Sequence, residues 1–390
     1  MSTREPASFQ PVAACSWNSQ IMSLANETLN QTQRDQSVVN DECFVRDSTA
    51  VKMLRIVPYC ILLIVSLLGN SVIIAVVWKE QRMRKTVNFF IVNMCVADLL
   101  ITLYMPRAMS IWYSGYQWQV RGTMGLIFCK FAVFTHQTAI CVSIFTVVAI
   151  SCDRFFAVVL PLKTIITKMV CQIILALIWI LSVAIRLPML YGLETVYDRH
   201  GKWSCSLSLD DAFYIGAEKA YYKFTLIGLF AVPLSVTVIL YTGILTSLKL
   251  RKVPGEEVFR SLERQQRRDA VIKRKVLRMV LIVVAVFVLC WILYFVQLIL
   301  FSYKIQVSCD VQFLRVFLAH LNSAINPCLY LLLNENFRVG VRNILSRSPL
   351  GGCIPGLAMG NLTQRVSPSM GITLSIYPQD KDEEPWKNTK

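Results

Sequence analysis

Seven long apolar segments account for most of the chain, and short polar stretches separate each from the next. A helix needs about 20 apolar residues to cross the hydrocarbon core of a bilayer, and each segment is long enough. The pattern therefore predicts an all-α membrane protein. Its seven membrane-spanning helices are expected over residues 51–78, 88–113, 125–158, 168–191, 220–248, 273–301 and 311–333.

Composition supports a membrane protein. Of the 390 residues, 55% are hydrophobic and only 16% are charged, whereas soluble domains carry about 25% charged residues. The formal net charge of +16 could indicate a nucleic-acid partner. The basic residues, however, gather in short segments between apolar runs rather than on one amphipathic face, so no nucleic-acid partner is expected.

The basic segments predict which side each terminus occupies. Seven spans place the termini on opposite sides, and Lys and Arg concentrate in cytoplasmic loops. We therefore expect a multi-pass plasma-membrane protein whose N-terminus is extracellular. The basic residues that set this orientation are Lys79, Arg82, Arg84, Lys85, Lys163, Lys168, Arg251, Lys252, Arg264, Arg267, Arg268, Lys273, Arg274 and Lys275.

The predicted orientation places the two tails on opposite sides of the membrane. Residues 1–50 form the predicted extracellular tail, where Asn26 and Asn30 are glycosylation acceptors, whereas Asn361 falls inside and should stay bare. No cleavable signal peptide is evident at the start, so the first helix is expected to act as the targeting signal.

A short amphipathic helix is predicted on the inner leaflet over residues 335–347, after the seven-transmembrane domain at 51–334. Cys353, just beyond this helix, is a candidate for lipidation by palmitoylation. Residues 348–390 are expected to be disordered, with serines and threonines that are candidate phosphorylation sites.

Cysteine positions suggest one or two disulfides. Most of the 13 cysteines lie in apolar segments, where a thiol usually acts as a small hydrophobe. Cys129, at the outer end of helix three, and Cys205, in the loop after helix four, face the oxidising side, and we expect a bridge between them. Cys43 and Cys309 could form a second bridge, which would leave Cys15 unpaired.

The chain resembles rhodopsin-like (class A) G protein-coupled receptors over about residues 50–346, because one or more motifs of that family occur in each span and in the family's order. These motifs are "GN" at Gly69 and Asn70, "NMCVAD" ending at Asp98, Cys129 with "DRF" at Asp153–Phe155, Trp179, Pro233 with Tyr241, "FVLCW" at Phe287–Trp291, and "NPCLY" at Asn326–Tyr330.

The resemblance implies a sodium site around a carboxylate in the middle of the membrane. An ionised Asp98 there costs roughly 2.5–3.5 kcal/mol even on the insertion scale, so it should face the interior and have partners. The alternative is a polar core satisfied by water without an ion. The implied oxygen ligands of the sodium ion, an allosteric modulator rather than a cofactor, are Asp98, Ser143, Asn322, Ser323 and Asn326.

The resemblance also implies an activation switch. Asp153 would restrain Arg154 until activation frees the arginine to meet Tyr241 and the G protein. The chain departs from the family pattern at Leu293, where a proline usually kinks helix six, and Lys273–Lys275 offer no acidic group to hold the arginine. The implied switch residues are Asp153, Arg154, Tyr241, Phe287, Trp291, Asn326, Pro327 and Tyr330.

Two ligand classes are disfavoured by single positions. Helix seven has His320 where an opsin has its retinal-binding lysine, and helix three has His136 where receptors for biogenic amines have an aspartate. A peptide is then the expected ligand, and a small non-peptide ligand is the alternative. The candidate ligand-binding residues are Arg107, His136, Gln137, Arg186, Trp291 and His320.

Charged residues near the outer surface leave further alternatives open. The long loop at 192–220 should form a hairpin, and its carboxylates could attract a basic peptide or be merely solvated. Arg107 and Arg186 would by default snorkel toward the headgroups, with a contact to a ligand carboxylate or amide oxygen as the alternative. The loop carboxylates are Glu194, Asp198, Asp210, Asp211 and Glu218.

His136 and His320 face each other across the pocket in the positions that the resemblance gives them. We hypothesise a polar pair whose protonation tunes ligand binding between about pH 5 and 8. Two independent ligand contacts are the alternative, and zinc bridging is disfavoured because two imidazoles alone make a poor site.

The expected function is therefore signal transduction by a two-state helix bundle that binds a heterotrimeric G protein and makes no covalent bond. A transporter would usually have inverted repeats, and an intramembrane enzyme would need a nucleophile or a metal cluster. Neither pattern is evident in the sequence.

Overall fold

The computed structural model describes residues 47–114, 117–160, 163, 165–197, 202–250, 282, 284–300, 303, 305 and 307–346. Asn26, Asn30, Cys43, Asp198 and Cys353 lie outside these residues, as does most of the segment between the fifth and sixth helices. The predicted glycosylation and lipidation sites therefore stay predictions.

Apolar helices follow one another along the described chain. Six are long and apolar enough to cross a membrane, and a seventh is a shorter apolar helix over Val284–Leu300. The predicted all-α, seven-helix architecture is confirmed. The helices are α1 (Thr49–Lys79), α2 (Thr86–Ser114), α3 (Gly122–Val159), α4 (Lys168–Gly192), α5 (Ala217–Leu226, Ile227–Ala231 and Val232–Leu250), α6 (Val284–Leu300), α7 (Cys309–Leu333) and α8 (Glu335–Ser346).

Short elements join the helices. A 3₁₀ turn at Gln81–Met83 links α1 to α2, and a helical turn at Leu209–Ala212 precedes α5. The middle piece of α5, Ile227–Ala231, is a π-helical turn. Such turns insert an extra residue into a helix and are frequent at functional sites.

Local capping explains why the helices begin where they do. The Ser48 hydroxyl accepts a hydrogen bond from the Val51 amide (3.4 Å), and the Thr167 hydroxyl accepts one from the Val170 amide (3.3 Å). Each satisfies an amide that has no partner within its own helix. Hydropathy does not register these polar caps, so α1 begins two residues before the apolar segment predicts.

A β-hairpin covers one end of the bundle, as the long loop predicts. Strand β1 (Leu193–Tyr197) pairs antiparallel with β2 (Trp203–Leu207). A disulfide joins Cys205 on β2 to Cys129 near the start of α3, with a Cα–Cα distance of 5.7 Å, which confirms that predicted bridge. We call this end of the bundle the hairpin end.

A third cysteine at the hairpin end, outside the Cys129–Cys205 bridge, is also disulfide-bonded. Cys309, the first residue of α7, takes part in a bridge. Its predicted partner, Cys43, lies outside the described residues, so that pairing stays a prediction. Arg55 on α1 reinforces the same corner, because its guanidinium donates to the Asp310 carboxylate (3.0 Å).

Helical periodicity decides which side of α1 faces the bundle. Its buried residues recur every three or four positions, the spacing that keeps side chains on one face. Leu54, Leu68 and Trp78 on the other face are exposed, as lipid-facing residues should be. The buried face consists of Arg55, Tyr59, Leu62, Ser66, Asn70, Ile73, Val76 and Val77.

Contact between α1 and α7 depends on a small residue and an amide. A Cβ added to Gly69 would lie 2.7 Å from Pro327 Cγ, so only glycine permits this approach. The next residue, Asn70, donates through Nδ2 to the Ser66 carbonyl (2.9 Å) and to the Ser323 carbonyl (3.1 Å). Close approach through small residues and interhelical hydrogen bonds are the usual means of holding membrane helices together.

We predict that Gly69→Ala lowers the apparent melting temperature of the purified receptor by roughly 2–10 °C, because the new methyl group overpacks the contact with Pro327. Thermal unfolding in detergent measures the change. Gly228→Ala is the matched control, since its added Cβ would lie 4.0 Å from Phe224 Cζ. An unchanged or higher melting temperature for Gly69→Ala would contradict the packing argument.

Candidate functional site

Two histidines meet inside the hairpin end of the bundle. His136 lies seven residues after Cys129 on α3, or about 10 Å along the helix axis. Its Nε2 atom is 3.1 Å from Nε2 of His320 on α7. The two rings therefore form a direct polar contact across the bundle, and the effect of its protonation on ligand binding stays a prediction.

Two tyrosines hold the histidine pair. The Tyr59 hydroxyl on α1 lies 3.2 Å from His320 Nδ1, and the Tyr104 ring on α2 stacks on His136 with a centroid separation of 4.1 Å. His136 and His320 are 8% and 1% exposed. Both nitrogens of His320 thus have partners, which fixes the orientation of its ring.

Aromatic residues of α6 line the next part of the interior. Gln137 Nε2 donates to the Tyr294 hydroxyl (3.4 Å), and the Tyr294 ring packs edge-on against Trp291 (5.5 Å between centroids). Trp291 is buried and also packs against Phe287 and Phe295. Gln137 and Trp291, both predicted ligand residues, are therefore joined through Tyr294.

Arg186 on α4 points into the bundle. Only 3% of the residue is exposed, and its guanidinium donates to the Tyr221 hydroxyl (3.0 Å) and to Cys141 Sγ (3.0 Å). A snorkelling side chain would reach toward headgroups, so the default expectation for this arginine is wrong. Hydropathy along the sequence does not indicate this direction, because it is the same whether α4 turns Arg186 into the bundle or toward the headgroups.

Arg107 on α2 is held by the first loop. It donates to the Gln117 carbonyl (3.1 Å), and its guanidinium lies over the Trp118 ring, 4.9 Å from the centroid. Trp118 is itself buried and donates through Nε1 to the Gly125 carbonyl (3.0 Å). These contacts place Arg107 beside the loop between α2 and α3, whereas Arg186 lies within the bundle.

The predicted sodium ligands converge in the middle of the bundle. Asn326 Nδ2 on α7 donates to Asp98 Oδ2 on α2 (2.9 Å). Asp98, Ser143, Asn322, Ser323 and Asn326 are all buried, at no more than 2% exposure.

Oxygen atoms of this group have few protein partners. Ser143 Oγ has no hydrogen-bond partner among the described residues, and Asp98 Oδ1 and Ser323 Oγ have at most each other. Buried polar atoms are nearly always satisfied, so these oxygens leave a place for water or a cation. Carboxylate and hydroxyl oxygens are hard donors and fit a hard cation such as sodium.

At the opposite end of the bundle, Arg154 is paired with its neighbour. Its Nε donates to Asp153 Oδ2 (3.0 Å), and its Nη2 contacts the same oxygen. The Thr86 hydroxyl donates to the other Asp153 oxygen (3.4 Å). Asp153 is 1% exposed, so the arginine is held close to α3 in this conformation.

Tyr241, the predicted partner of Arg154, and Tyr330, a second predicted switch residue, bond elsewhere in this conformation. The Tyr241 hydroxyl on α5 lies 3.2 Å from Ser151 Oγ. The Tyr330 hydroxyl on α7 points to Met94 Sδ (3.2 Å), and the Tyr330 ring packs near Phe337 of α8. Both tyrosines are buried close to the arginine's end of the bundle but engage neutral groups.

Sequence reasoning missed Tyr59, Tyr104 and Tyr294, which contact the predicted ligand residues. A signal existed for Tyr59, because it lies eleven residues before Asn70, or three helical turns, on the same buried face. Tyr104 and Tyr294 carry no such signal, because an aromatic residue in an apolar helix is usually core.

The seven-helix bundle has a polar cluster under a disulfide-tethered hairpin, a buried carboxylate at its middle and a restrained arginine at the other end. Together these features define a seven-transmembrane receptor. Residues 69–330 match the family described as 7 transmembrane receptor (rhodopsin family), and the chain belongs to that family. It is thus a multi-pass plasma-membrane receptor of class A and not an enzyme.

The curated proteins to which the chain is similar include several neuropeptide receptors. The substance-P receptor of Aquarana catesbeiana is 28% identical over 336 residues, which cover 85% of this chain and 79% of that protein. The QRFP-like peptide receptor of Branchiostoma floridae is 29% identical over 76% of this chain and 79% of its own length. The RYamide receptor of Tribolium castaneum is 29% identical over 75% of this chain and 80% of its own length.

We predict that the histidine contact is energetically coupled. A double-mutant cycle of His136→Leu and His320→Leu, measured by the thermal stability of the purified receptor, should give an interaction of about 0.5–3 kcal/mol. The reason is that either single change leaves the other ring with an unsatisfied buried nitrogen.

The control cycle combines His320→Leu with Asn343→Ala. Asn343 on α8 donates to Glu80 at the opposite end of the bundle (3.2 Å), so the two changes should be additive. Additivity within the histidine cycle as well would contradict the coupling.

Proposed function

We propose that the chain is a cell-surface receptor that binds an extracellular peptide and activates heterotrimeric G proteins. The observation that carries the proposal is the similarity to receptors named for peptides over three quarters or more of the chain. The polar cluster beneath the hairpin supports it, because a peptide presents many hydrogen-bonding groups that would need such partners.

The proposed orientation places the N-terminus and the hairpin end outside the cell. Its support is the distribution of positive charge, since Lys79, Arg82 and Arg84 lie at the end of α1 away from the hairpin. Lys163, between α3 and α4, lies at that same end. Basic residues of this kind favour the cytoplasmic side.

In the proposed mechanism, the peptide enters beneath the hairpin and contacts His136, Gln137 and His320, with Trp291 below them. Arg107 and Arg186 complete the set of contacts. A ligand can shift the receptor only by its difference in affinity between two conformations. We infer that the active conformation is the one in which α6 moves outward and opens a cleft for the G protein.

Two aromatic residues of α6 support it as the moving element. Tyr294 accepts a hydrogen bond from Gln137 on α3 (3.4 Å), so a ligand that displaced Gln137 would also act on α6. Phe295 stacks on Phe230 in the π-helical turn of α5, with a centroid separation of 4.7 Å. Because α6 has Leu293 at the usual proline position, its outward movement would rely on these contacts rather than on a kink.

The other end of the proposed switch is the Asp153–Arg154 pair. When α6 moves, Arg154 would leave Asp153 and extend toward Tyr241, Tyr330 and the G protein. Phe287 would move with α6, and Pro327, which removes a backbone hydrogen bond of α7, would ease the rotation of Tyr330. Receptor kinases and arrestin are further proposed partners of the C-terminal tail.

A sodium ion is a proposed modulator of this equilibrium. Asp98, Ser143, Asn322, Ser323 and Asn326 would hold it. When bound, the ion would supply positive charge that neutralises the Asp98 carboxylate and favours the inactive conformation.

We predict that Asn326→Ala changes sodium sensitivity and basal signalling together, because Asn326 orients the Asp98 carboxylate. The free energy of unfolding of the wild-type receptor should be about 1–2 kcal/mol higher in sodium chloride than in potassium chloride. This is the gain for an ion present at roughly ten times its Kd. The variant should lose most of that gain, and its basal nucleotide exchange should rise.

The control for this prediction is Asn93→Ala. Asn93 Oδ1 accepts a hydrogen bond from Trp179 Nε1 (2.8 Å) away from the carboxylate, so this variant should be less stable yet keep its response to sodium. If Asn326→Ala altered neither property, the sodium proposal would be wrong.

The test of the function is a peptide-library screen in cells that express the receptor with a promiscuous G protein. At least one peptide should stimulate nucleotide exchange in a saturable manner. Arg154→Ala should reduce that stimulation by at least about tenfold while leaving peptide binding within about threefold, since a single charge-assisted contact contributes about 1.5–3 kcal/mol. A library without any activator, or full signalling by Arg154→Ala, would argue against the proposal.

A further inference from the structure

Arg186 is a buried cation whose partners are all neutral. Its guanidinium donates to a phenol, Tyr221 Oη, and to two sulfur atoms, Cys141 Sγ and Met189 Sδ (3.8 Å). Ion pairs among the described residues involve Arg55, Arg82 and Arg154, but not Arg186.

An unpaired buried charge is an unfavourable arrangement. Moving a guanidinium out of water costs free energy that neutral hydrogen-bond partners return only in part. Buried charges in proteins are therefore usually paired with an opposite charge. The described residues supply no such charge for Arg186, so it can come from a molecule that binds there.

A second arginine, Arg315, lies near Tyr294. The Arg315 guanidinium on α7 is 5.8 Å from the centroid of the Tyr294 ring, and its Nε atom is buried without a hydrogen-bond partner among the described residues. Tyr294 is also within electrostatic range of Arg186. Two arginines, one on α4 and one on α7, thus place positive charge near Tyr294.

Nearby carboxylates are already engaged. Glu218 is hydrogen-bonded with the Tyr222 side chain, Asp210 accepts from the Glu218 amide (2.8 Å), and Asp211 accepts from the Ser208 hydroxyl. Glu194, on the hairpin, is exposed. Three of the five loop carboxylates that could have attracted a basic peptide are therefore used in local structure.

We propose that the activating ligand carries a carboxylate that binds to Arg186 between α3, α4 and α5, with Arg315 attracting it into the pocket. The inference rests on the proposed function and specifies the chemistry of the ligand. Arg is suited to this task because its planar fork can donate two parallel hydrogen bonds to one carboxylate. The carboxylate is either an Asp or Glu side chain or the free C-terminus of a peptide.

The first test uses acetate, the smallest carboxylate that resembles these groups. The melting temperature of the purified full-length receptor is measured in sodium acetate and in sodium chloride at equal concentration. Acetate should raise it above the chloride value in the wild type. Arg186→Gln should abolish this difference and, by removing an unpaired charge, should raise the melting temperature in chloride.

The matched control is Lys130→Gln. Lys130 is a cation at the same end of the bundle, but its ammonium group bonds to the Leu190 carbonyl (2.9 Å), so this variant should keep the acetate effect. Arg186→Lys, which retains the charge but lacks the fork, should show a smaller effect and remains informative if Arg186→Gln does not fold. Equal melting temperatures of the wild type in the two salts would overturn the proposal.

The second test uses each activating peptide found by the library screen. Peptides are compared with versions in which Asp becomes Asn, Glu becomes Gln, or the C-terminal acid becomes an amide. One neutralisation should lower potency on the wild type by about 10-fold to 100-fold, but by less than about threefold on Arg186→Gln. The position at which neutralisation lowers potency shows whether the bound carboxylate is a side chain or the C-terminus.

The outcomes separate this inference from the proposed function. Peptide activators whose potency survives every neutralisation would overturn the inference and leave the peptide receptor intact. An Arg186-dependent acetate effect without any peptide activator would retain the carboxylate site and argue for a ligand other than a peptide.

Discussion

Lipid offers no hydrogen-bond partner to a helix that crosses it. Polar side chains in a spanning helix must therefore find their partners inside the bundle. Asn93 illustrates this, because it accepts from Trp179 on α4 (2.8 Å) and donates to Thr146 on α3 (2.8 Å), and so joins three helices. Asn70 does the same between α1 and α7. Such contacts fix the rotation of each helix, and the apolar faces then pack around them.

Some of the unsatisfied buried polar atoms lie at the proposed sites, whereas others, such as Asn70 Oδ1 and Gln297 Oε1, do not. Among the described residues, Ser143 Oγ has no partner where the sodium ion is proposed, and Arg186 lacks a counter-ion where the ligand carboxylate is proposed. Natural proteins contain few unsatisfied buried polar groups, and those few often mark a function or an unplaced water or ion.

Much of the fold could be predicted because it follows from hydropathy along the chain, which located both ends of α1 to α5 and of α7 to within about three residues. For α6 only the C-terminal end can be compared, because the predicted start at residue 273 lies outside the described residues. The rotation of a helix about its axis is harder to predict. Arg186 could have pointed to headgroups or into the bundle, and only the packing of α3 and α5 decides this. The histidine contact was foreseen through the family resemblance, whereas the positions of Tyr59 and Tyr104 around it depend on how α1 and α2 pack. The orientation of Tyr330 depends on the conformational state, which sequence does not specify.

Helix α3 carries one member of every proposed site, yet it is a poor candidate for the element that moves. His136, Ser143 and Asp153 lie on it within 17 residues, or about 25 Å. A rigid helix fixes distances among the sites but cannot change state by itself. The coupling must instead use elements with two arrangements. The π-helical turn of α5 and the aromatic stack of Phe230 and Phe295 satisfy this requirement, since a π turn can return to regular helix and rotate the residues beyond it. Ligand contacts with Tyr221 and Tyr294 would act on both helices at once, with α3 as the fixed frame.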